Sequence, residues 1–334
     1  MSILIQKREF WEEKILPVIP KKLSKLIAFG YETLVATEVT SMRANARLAP
    51  LKWSTAKSKA WRLTTNTRIV PVFTRLLAAL MFVTKNDAIA VDFSDFKDGR
   101  QVLMFAKQTR KGRALPLYFE ILEYPIAKGS QNLFVNTAIA HFINIVGCRP
   151  LFVFDRGFAC PAIVKYMAKH NLLFLIRIKK RKRFRTVATS VAAEDLGTND
   201  LHVEGDGLPL RLVVSDDPRN GNDPWYLITN DTAASREAII QKYYHRFEIE
   251  EFFRDAKRLL GLEYLRFNSA QSCSITLWFV ILTMWLFEEI TGEFTEVDEK
   301  IRAQWRVSRV RYIMETLRRE SLWALVAGVA LSSG

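Results

Sequence analysis

Three cysteines in 334 residues, Cys148, Cys160 and Cys273, are too few and too far apart for a disulfide framework or a zinc knuckle, and they point to a reducing, intracellular compartment. Histidine is almost as scarce. The four are scattered, and none forms a zinc-like pair. The first residues, MSILIQKREFWEEK, contain no apolar signal core with a small-residue cleavage site, so export is not expected. The longest apolar run, Ile275 to Phe287, falls short of the roughly 20 residues that span a bilayer, and it reads as a buried core helix. Acidic residues are outnumbered: 35 Asp and Glu face 49 Lys and Arg, leaving a formal net charge of +14. Such an excess suits a partner carrying phosphates, nucleic acid first and an anionic membrane second. With 49% hydrophobic and 25% charged residues, 14 Gly and 11 Pro, disordered and collagen-like chains are excluded. At roughly 100 to 200 residues per domain, the length allows two or three domains.

Most of the charge sits in the first quarter, where residues 1–85 hold 15 Lys or Arg against 5 Glu. Apolar residues recur there at helical spacing (Leu23, Leu26, Ile27; Leu76, Leu77, Leu80, Met81), with breaks at Pro17 to Pro20 and at Pro50. A basic helical DNA-binding domain is expected over 1–85; a bundle with a solvated Lys/Arg face has the same pattern. From residue 88 the period becomes that of strands: AIAVDFS, QVLMFAKQ and ALPLYFEIL, joined by the turns DGR and TRKGR. A helix over 132–146, the strand PLFVFD, a helix over 159–170 and the strand LLFLIRIK follow. This order spells an α/β (α+β) fold with a ribonuclease H-like mixed sheet, whose first part spans 86–179. Residues 180–231 read as a β-rich insertion. A long helix from an N-cap at Thr232 through Leu260 opens a closing segment, 232–273, and helices fill the C-terminal region, 274–334.

The segment YYHRFEIEEFFRDAK carries the most chemistry. Tyr243, Arg246, Glu250 and Lys257 are spaced so that, on one continuous helix, they fall within an arc of roughly 60°. Ile249, Phe252, Ala256 and Leu259 would supply the buried stripe, and the charged face would look away from the core. An ordinary solvated face with i, i+4 pairs has the same appearance. Two further carboxylates interrupt apolar strands, Asp92 in AVDFS and Asp155 in LFVFDRGF. A lone Asp in such a place is usually a cap or turn residue. Two at adjacent strand positions, with Glu250 on a helix, can instead gather as three oxygen donors, a set that favours Mg²⁺ or Mn²⁺. Two such ions would activate a water or a 3′-hydroxyl and stabilise the leaving oxygen of a phosphoryl displacement. Asp95, of opposite strand parity, and Asp98, in the DGR turn, are weaker candidates than Asp92. Glu251 leaves the arc of the other three by about 100°. Arg156, beside Asp155, would neutralise that carboxylate or touch DNA.

Tyr243-x2-Arg246-x3-Glu250-x6-Lys257 resembles the YREK signature of cut-and-paste insertion-sequence transposases of the DDE class. VDFS is similar to that family's first-Asp strand, FDRGF to its second-Asp strand, and TRKGRALPLYFEIL to the hairpin between; the similarity covers about residues 88–268. The resemblance implies a catalytic and metal-binding triad of Asp92, Asp155 and Glu250, with Glu250 lying 95 residues beyond Asp155, across a β-rich insertion. It implies phosphate contacts for Tyr243, Arg246 and Lys257, and a stacking role on a flipped base for Trp225 in WYLITN; an ordinary core Trp fits that position as well. Two basic clusters, Lys107, Arg110, Lys111 and Arg113 around the second hairpin turn and Lys179 to Arg185 (with Lys180, Arg181 and Arg183) at the start of the insertion, lie next to strands leading to or from the triad and are expected to track phosphates; a solvated patch has the same composition.

The function expected is that of a transposase that binds terminal inverted repeats and target DNA. It would cut and join with Mg²⁺ or Mn²⁺ and act as at least a homodimer within the cytoplasm and nucleoid of a prokaryotic cell, without a membrane partner. A non-catalytic DNA-binding relative and a metal-dependent nuclease that does not join are the alternatives.

Overall fold

The computed structural model describes residues 3–37, 52–80, 82–96, 98–127, 129–185, 190–196, 200–217, 223–258, 260, 262, 267, 269–292, 300 and 311–317. Leu259, Met81 and Pro50 lie outside these described residues. The chain divides into two compact units, Met1–Leu80 with Phe96–Asp98 and Arg254–Gly334, and Met81–Asp95 with Gly99–Phe253.

The first unit opens with α1 (Ile3–Glu9), which continues through a π-helical turn at Phe10–Ile15 and a 3-10 turn at Leu16–Val18. Pro17 lies in that turn, and after Pro20 the chain re-enters a helix, α2 (Lys21–Thr37), as the proline spacing implies. Next come α3 (Trp53–Thr65) and α4 (Val70–Leu80).

The second unit is built on one mixed sheet. Its first three strands, β1 (Ala88–Asp95), β2 (Arg100–Lys107) and β3 (Leu115–Glu123), form an antiparallel meander. Then follow α5 (Ser130–Val146), β4 (Leu151–Phe154), α6 (Pro161–Lys169) and β5 (Phe174–Ile178). The segment read as a β-rich insertion supplies β6 (Arg183–Arg185), β7 (Ser190–Ala192), β8 (Asp200–Gly205), β9 (Leu208–Ser215) and β10 (Trp225–Thr229). These strands extend the same sheet, whose order is β3-β2-β1-β4-β5-β10-β9-β8-β6-β7. β4 runs parallel to both β1 and β5, and the other pairs are antiparallel.

β4 is buried at all four positions, as a strand covered on both faces must be. Its alternate side chains serve different layers. Phe152 packs with Phe142 of α5 and with Phe105, while Leu151 and Val153 join Leu175, Val213, Trp225, Leu227, Ile239 and Tyr243 in a separate cluster.

Two expectations about the following helix need correction. Its N-cap is Ser235, whose hydroxyl oxygen accepts the Ala238 N–H at 3.1 Å; Thr232 lies further upstream, outside the helix. The helix is also not continuous: α7 (Arg236–Tyr244) passes through a 3-10 turn at His245–Phe247 into α8 (Glu248–Arg258). That turn breaks the common phase on which a single 60° arc depends.

Besides a helical stretch over 311–317, the first unit also holds α9 (Ala270–Gly292), a 23-residue helix. It extends well past the 13-residue apolar run, so by length and composition it could cross a membrane. Its most apolar stretch is nonetheless 78% buried in the protein, as in a core helix. Gly30 of α2 shows how closely the helices meet: a Cβ there would lie 2.5 Å from the Phe279 ring and 2.7 Å from Leu63.

Candidate active site

The register of β1 against β4 brings two carboxylates together. Val91 is paired with Phe154, the last pair of the parallel β1–β4 ladder, so Asp92, within β1, and Asp155, just past the end of β4, each follow that pair by one residue and stand side by side where the ladder stops. Strand ends of this kind open a crevice that loops and helices can line. Asp155 caps the 3-10 turn Arg156–Phe158, with its Oδ1 accepting the Gly157 N–H at 2.7 Å. The opposite face of β1 is fixed by Phe93, which stacks on Phe158 at 5.5 Å. Asp95 accepts a hydrogen bond from Gln101, and Asp98 accepts one from the Phe267 N–H in the first unit, so both are engaged elsewhere.

Arg246 joins the helix to the strands. Its Nη1 donates to Asp92 Oδ2 at 3.2 Å and its Nη2 to Glu250 Oε1, one helical turn on. The residue is only 4% exposed, with its guanidinium 4.4 Å from the Phe247 ring centroid. A cation this deep is tolerable only when paired. Asp92 is pushed up from the usual carboxylate range to about 6: burial is the main cause, Asp155 and Glu250 add to it, and Arg246 and the Phe93 N–H oppose it. Burial works against the charge of Arg246, but Tyr243, Asp92, Glu250 and Asp155 together outweigh it and raise its pKa.

The rest of the signature does not share one outward face. Tyr243 is 1% exposed, and its ring meets Trp225 edge-on at 4.8 Å and lies 6.0 Å from Phe247. Tyr243 therefore presents no surface to a phosphate in this arrangement. Trp225, fully buried, presents none to a base, and the core reading of this Trp is the one its packing supports. The Glu250 side chain is half exposed. α8 carries Lys257 out of the second unit and into the first. Ile249, Phe252 and Ala256 are buried, as the stripe requires.

The donor chemistry suits a hard divalent cation. Three carboxylates supply only oxygen, and both Asp155 and Glu250 act electrostatically on Asp92, a repulsion that such an ion would relieve. As they stand, however, no three Asp, Glu, His or Cys side chains among the described residues are gathered tightly enough to hold one. The guanidinium of Arg246 bonds to Asp92 and Glu250 and answers their charge instead.

The basic clusters differ in how far their charge is already used. Lys107 is paired with Asp87 and bonds the Phe82 carbonyl, and Arg113 lies 3.6 Å from Glu251. Lys180 pairs with Glu194, Lys182 with Asp206, and Arg183 bonds Ser190. Arg110, Arg156 and Arg181 are exposed and make no ion pair among the described residues. Within the basic helical segment expected over 1–85, sequence reasoning does not single out the residues of a cationic groove in the first unit, lined by Lys22, Lys25 and Leu26 of α2, Lys59, Arg62 and Thr65 of α3, and Asn66. The signal was available: no Asp or Glu occurs from Val39 to Asn86, a stretch holding nine Lys or Arg.

Comparison with protein families matches residues 131–286 to the transposase DDE domain. The match supports a DDE-type transposase. It takes in Asp155 and Glu250 and stops short of Asp92, whose place beside Asp155 follows from the β1–β4 register. No curated protein matches the chain.

Proposed function

We propose that this chain is the DDE transposase of an insertion sequence, which binds the terminal inverted repeats of its element, cuts the DNA there and joins the freed ends to a target. The observation that carries this reading is the juxtaposition of Asp92 and Asp155 where the parallel β1–β4 pairing ends, with Glu250 tied to Asp92 through Arg246. The sheet order β3-β2-β1-β4-β5, with a meander followed by two parallel strands, supports a ribonuclease H-like core.

Asp92, Asp155 and Glu250 would hold Mg²⁺ or Mn²⁺, two ions in the full site, and the metal supplies activation of a water or 3′-hydroxyl and charge neutralisation at the leaving oxygen. Each residue of the chain then has its own task. The carboxylates of Asp92 and Asp155 are set by the strands and do not depend on a mobile loop for their spacing. Arg246, whose two Nη groups hold Asp92 and Glu250 here, carries a planar fork that would suit phosphate oxygens if those carboxylates were held by a cation. Tyr243, Trp225 and Phe247 form the wall that keeps the guanidinium in place. Lys257 adds a cation further along α8. The groove between α2 and α3, with four cations and no acid, is the surface by which we expect the N-terminal helices to meet DNA phosphates. Synapsis of two element ends calls for at least a homodimer, working in the prokaryotic cytoplasm where the DNA lies.

The test is strand transfer from a pre-cleaved end. With a duplex ending in a free 3′-hydroxyl at the terminal repeat, a target plasmid and Mn²⁺, joined product is expected. Nicked target without joined product would reassign the chain as a nuclease.

A further inference from the structure

The turn between β2 and β3 is organised around a side chain from a different element. The Thr109 and Arg110 N–H groups donate to Glu248 Oε2 at 2.8 and 3.2 Å, and the Gly112 N–H donates to Oε1 at 3.2 Å. The Ala114 N–H donates to the Glu248 carbonyl at 3.1 Å, and His245 Nδ1 lies 3.1 Å from Oε1. Within the turn, Thr109 Oγ1 donates to the Arg113 carbonyl and accepts the Lys111 N–H. Successive N–H groups curled in this way make an anion site, and here the anion is a carboxylate of the protein.

An acid in the first turn of a helix ordinarily answers the free N–H groups of that helix. Glu248, at the start of α8 and 5% exposed, sends both oxygens to the turn instead. The turn has need of such a partner. Gly112 has φ +86°, which suits glycine, but Arg110 has φ +61°, a left-handed conformation that side chains other than glycine seldom adopt. Strained backbone of this kind persists where the surroundings over-determine it. The Arg110 side chain is left exposed, with no ion pair among the described residues.

Resting on the DNA reading above, we propose that Glu248 is a positioning residue: its buried carboxylate clasps the basic turn to the helix bearing Glu250, so that Arg110 is held out as a phosphate contact of the bound end. Glu248 itself touches no DNA. The clasp replaces the entropy of a loose, cationic hairpin loop with a fixed charge.

Two measurements on the full chain separate the clasp from its purpose. Hydrogen exchange of the free protein should show residues 108–114 protected in the wild type and exchanging at least about ten-fold faster in Glu248→Ala, with β4 and β5 unchanged. Equal exchange in the two proteins overturns the clasp. Affinity for a blunt random-sequence duplex, measured across salt, should fall about five- to ten-fold in Glu248→Ala and in Arg110→Ala, with a salt slope smaller by about one in each. The double variant should lose no more than either single one, because both remove the same contact. Multiplicative losses, or an unaltered salt slope in Glu248→Ala, make Glu248 merely structural and overturn the proposal. A wild type that binds no duplex overturns the DNA reading and the positioning role with it, while exchange still decides the clasp.

Discussion

Charge is handled in opposite ways at Arg246 in the second unit and in the α2–α3 groove of the first. Arg246 is 4% exposed and bonded to two carboxylates, whereas Lys22, Lys25, Lys59 and Arg62 line an open groove and make no ion pair among the described residues. A cation so deep costs too much to keep without acids beside it, and a row of open cations costs little while awaiting an external anion. Compensated, buried charge points to a place where chemistry is set up. Uncompensated, open charge points to a place where something is bound.

The largest effect that could break this contrast is loss of the buried cation. Arg246→Met should cost about 3 to 4 kcal/mol by denaturant unfolding, because it leaves Asp92 and Glu250 facing each other uncompensated; the half exposure of Glu250 keeps the value near the lower end for a broken buried pair. Unchanged stability would mean that the pairing is incidental.

Next comes the pH dependence of Asp92. Because its pKa is raised from 3.8 to about 6 in the folded protein, the native state holds that proton more tightly than the unfolded chain does. Stability contributed by the protonated form is full below about pH 4 and is lost as pH rises to about 6, by roughly 3 kcal/mol. Asp92→Asn should flatten that decline and be the more stable protein at pH 7, while losing cleavage. A decline that persists in Asp92→Asn would place the titrating group elsewhere.

The open groove gives a smaller effect with a different readout. Replacing Lys59 and Arg62 together by Ala should weaken duplex binding by about ten-fold or more and lower the salt slope by about two, with the unfolding midpoint unmoved. The smallest effect sharpens the comparison from the other side. Lys180, tied to Glu194 at 3.3 Å on the surface, should cost only a few tenths of a kcal/mol when changed to Ala, and less DNA affinity than the groove pair. A larger loss of affinity at Lys180 than at Lys59 and Arg62 would reverse the assignment of the two regions.

The same contrast explains what could be read from sequence. Asp92 and Asp155 stand out in the sequence because each directly follows a run of apolar strand residues, and the hairpins because DGR and TRKGR are turn chemistry; Gly99 and Gly112 both take positive φ there. The mixed sheet followed from the order of strand and helix periods. The break at His245–Phe247 has no signal, since neither proline nor glycine marks it, and so the spacing puts Tyr243 on an outward face whereas it packs on Trp225. Nor could a basic run reveal its partners: Glu194 and Asp206 reach Lys180 and Lys182 only after the sheet has formed. Glu248 was hidden for the same reason, one acid among several in EIEE until the turn folds back onto it.

The central claim is that Asp92, Asp155 and Glu250 act as one site on DNA. It is tested most directly by cleavage of supercoiled DNA carrying the inverted repeats of the element, with Mg²⁺ or Mn²⁺, comparing the wild type with Asp92→Ala, Asp155→Ala and Glu250→Ala. Metal-dependent cutting at the repeat ends by the wild type, reduced at least about a thousand-fold in every variant while duplex binding persists, is the predicted result. Cutting that survives in any one of the three, or a wild type that binds the ends and never cuts them, would contradict it.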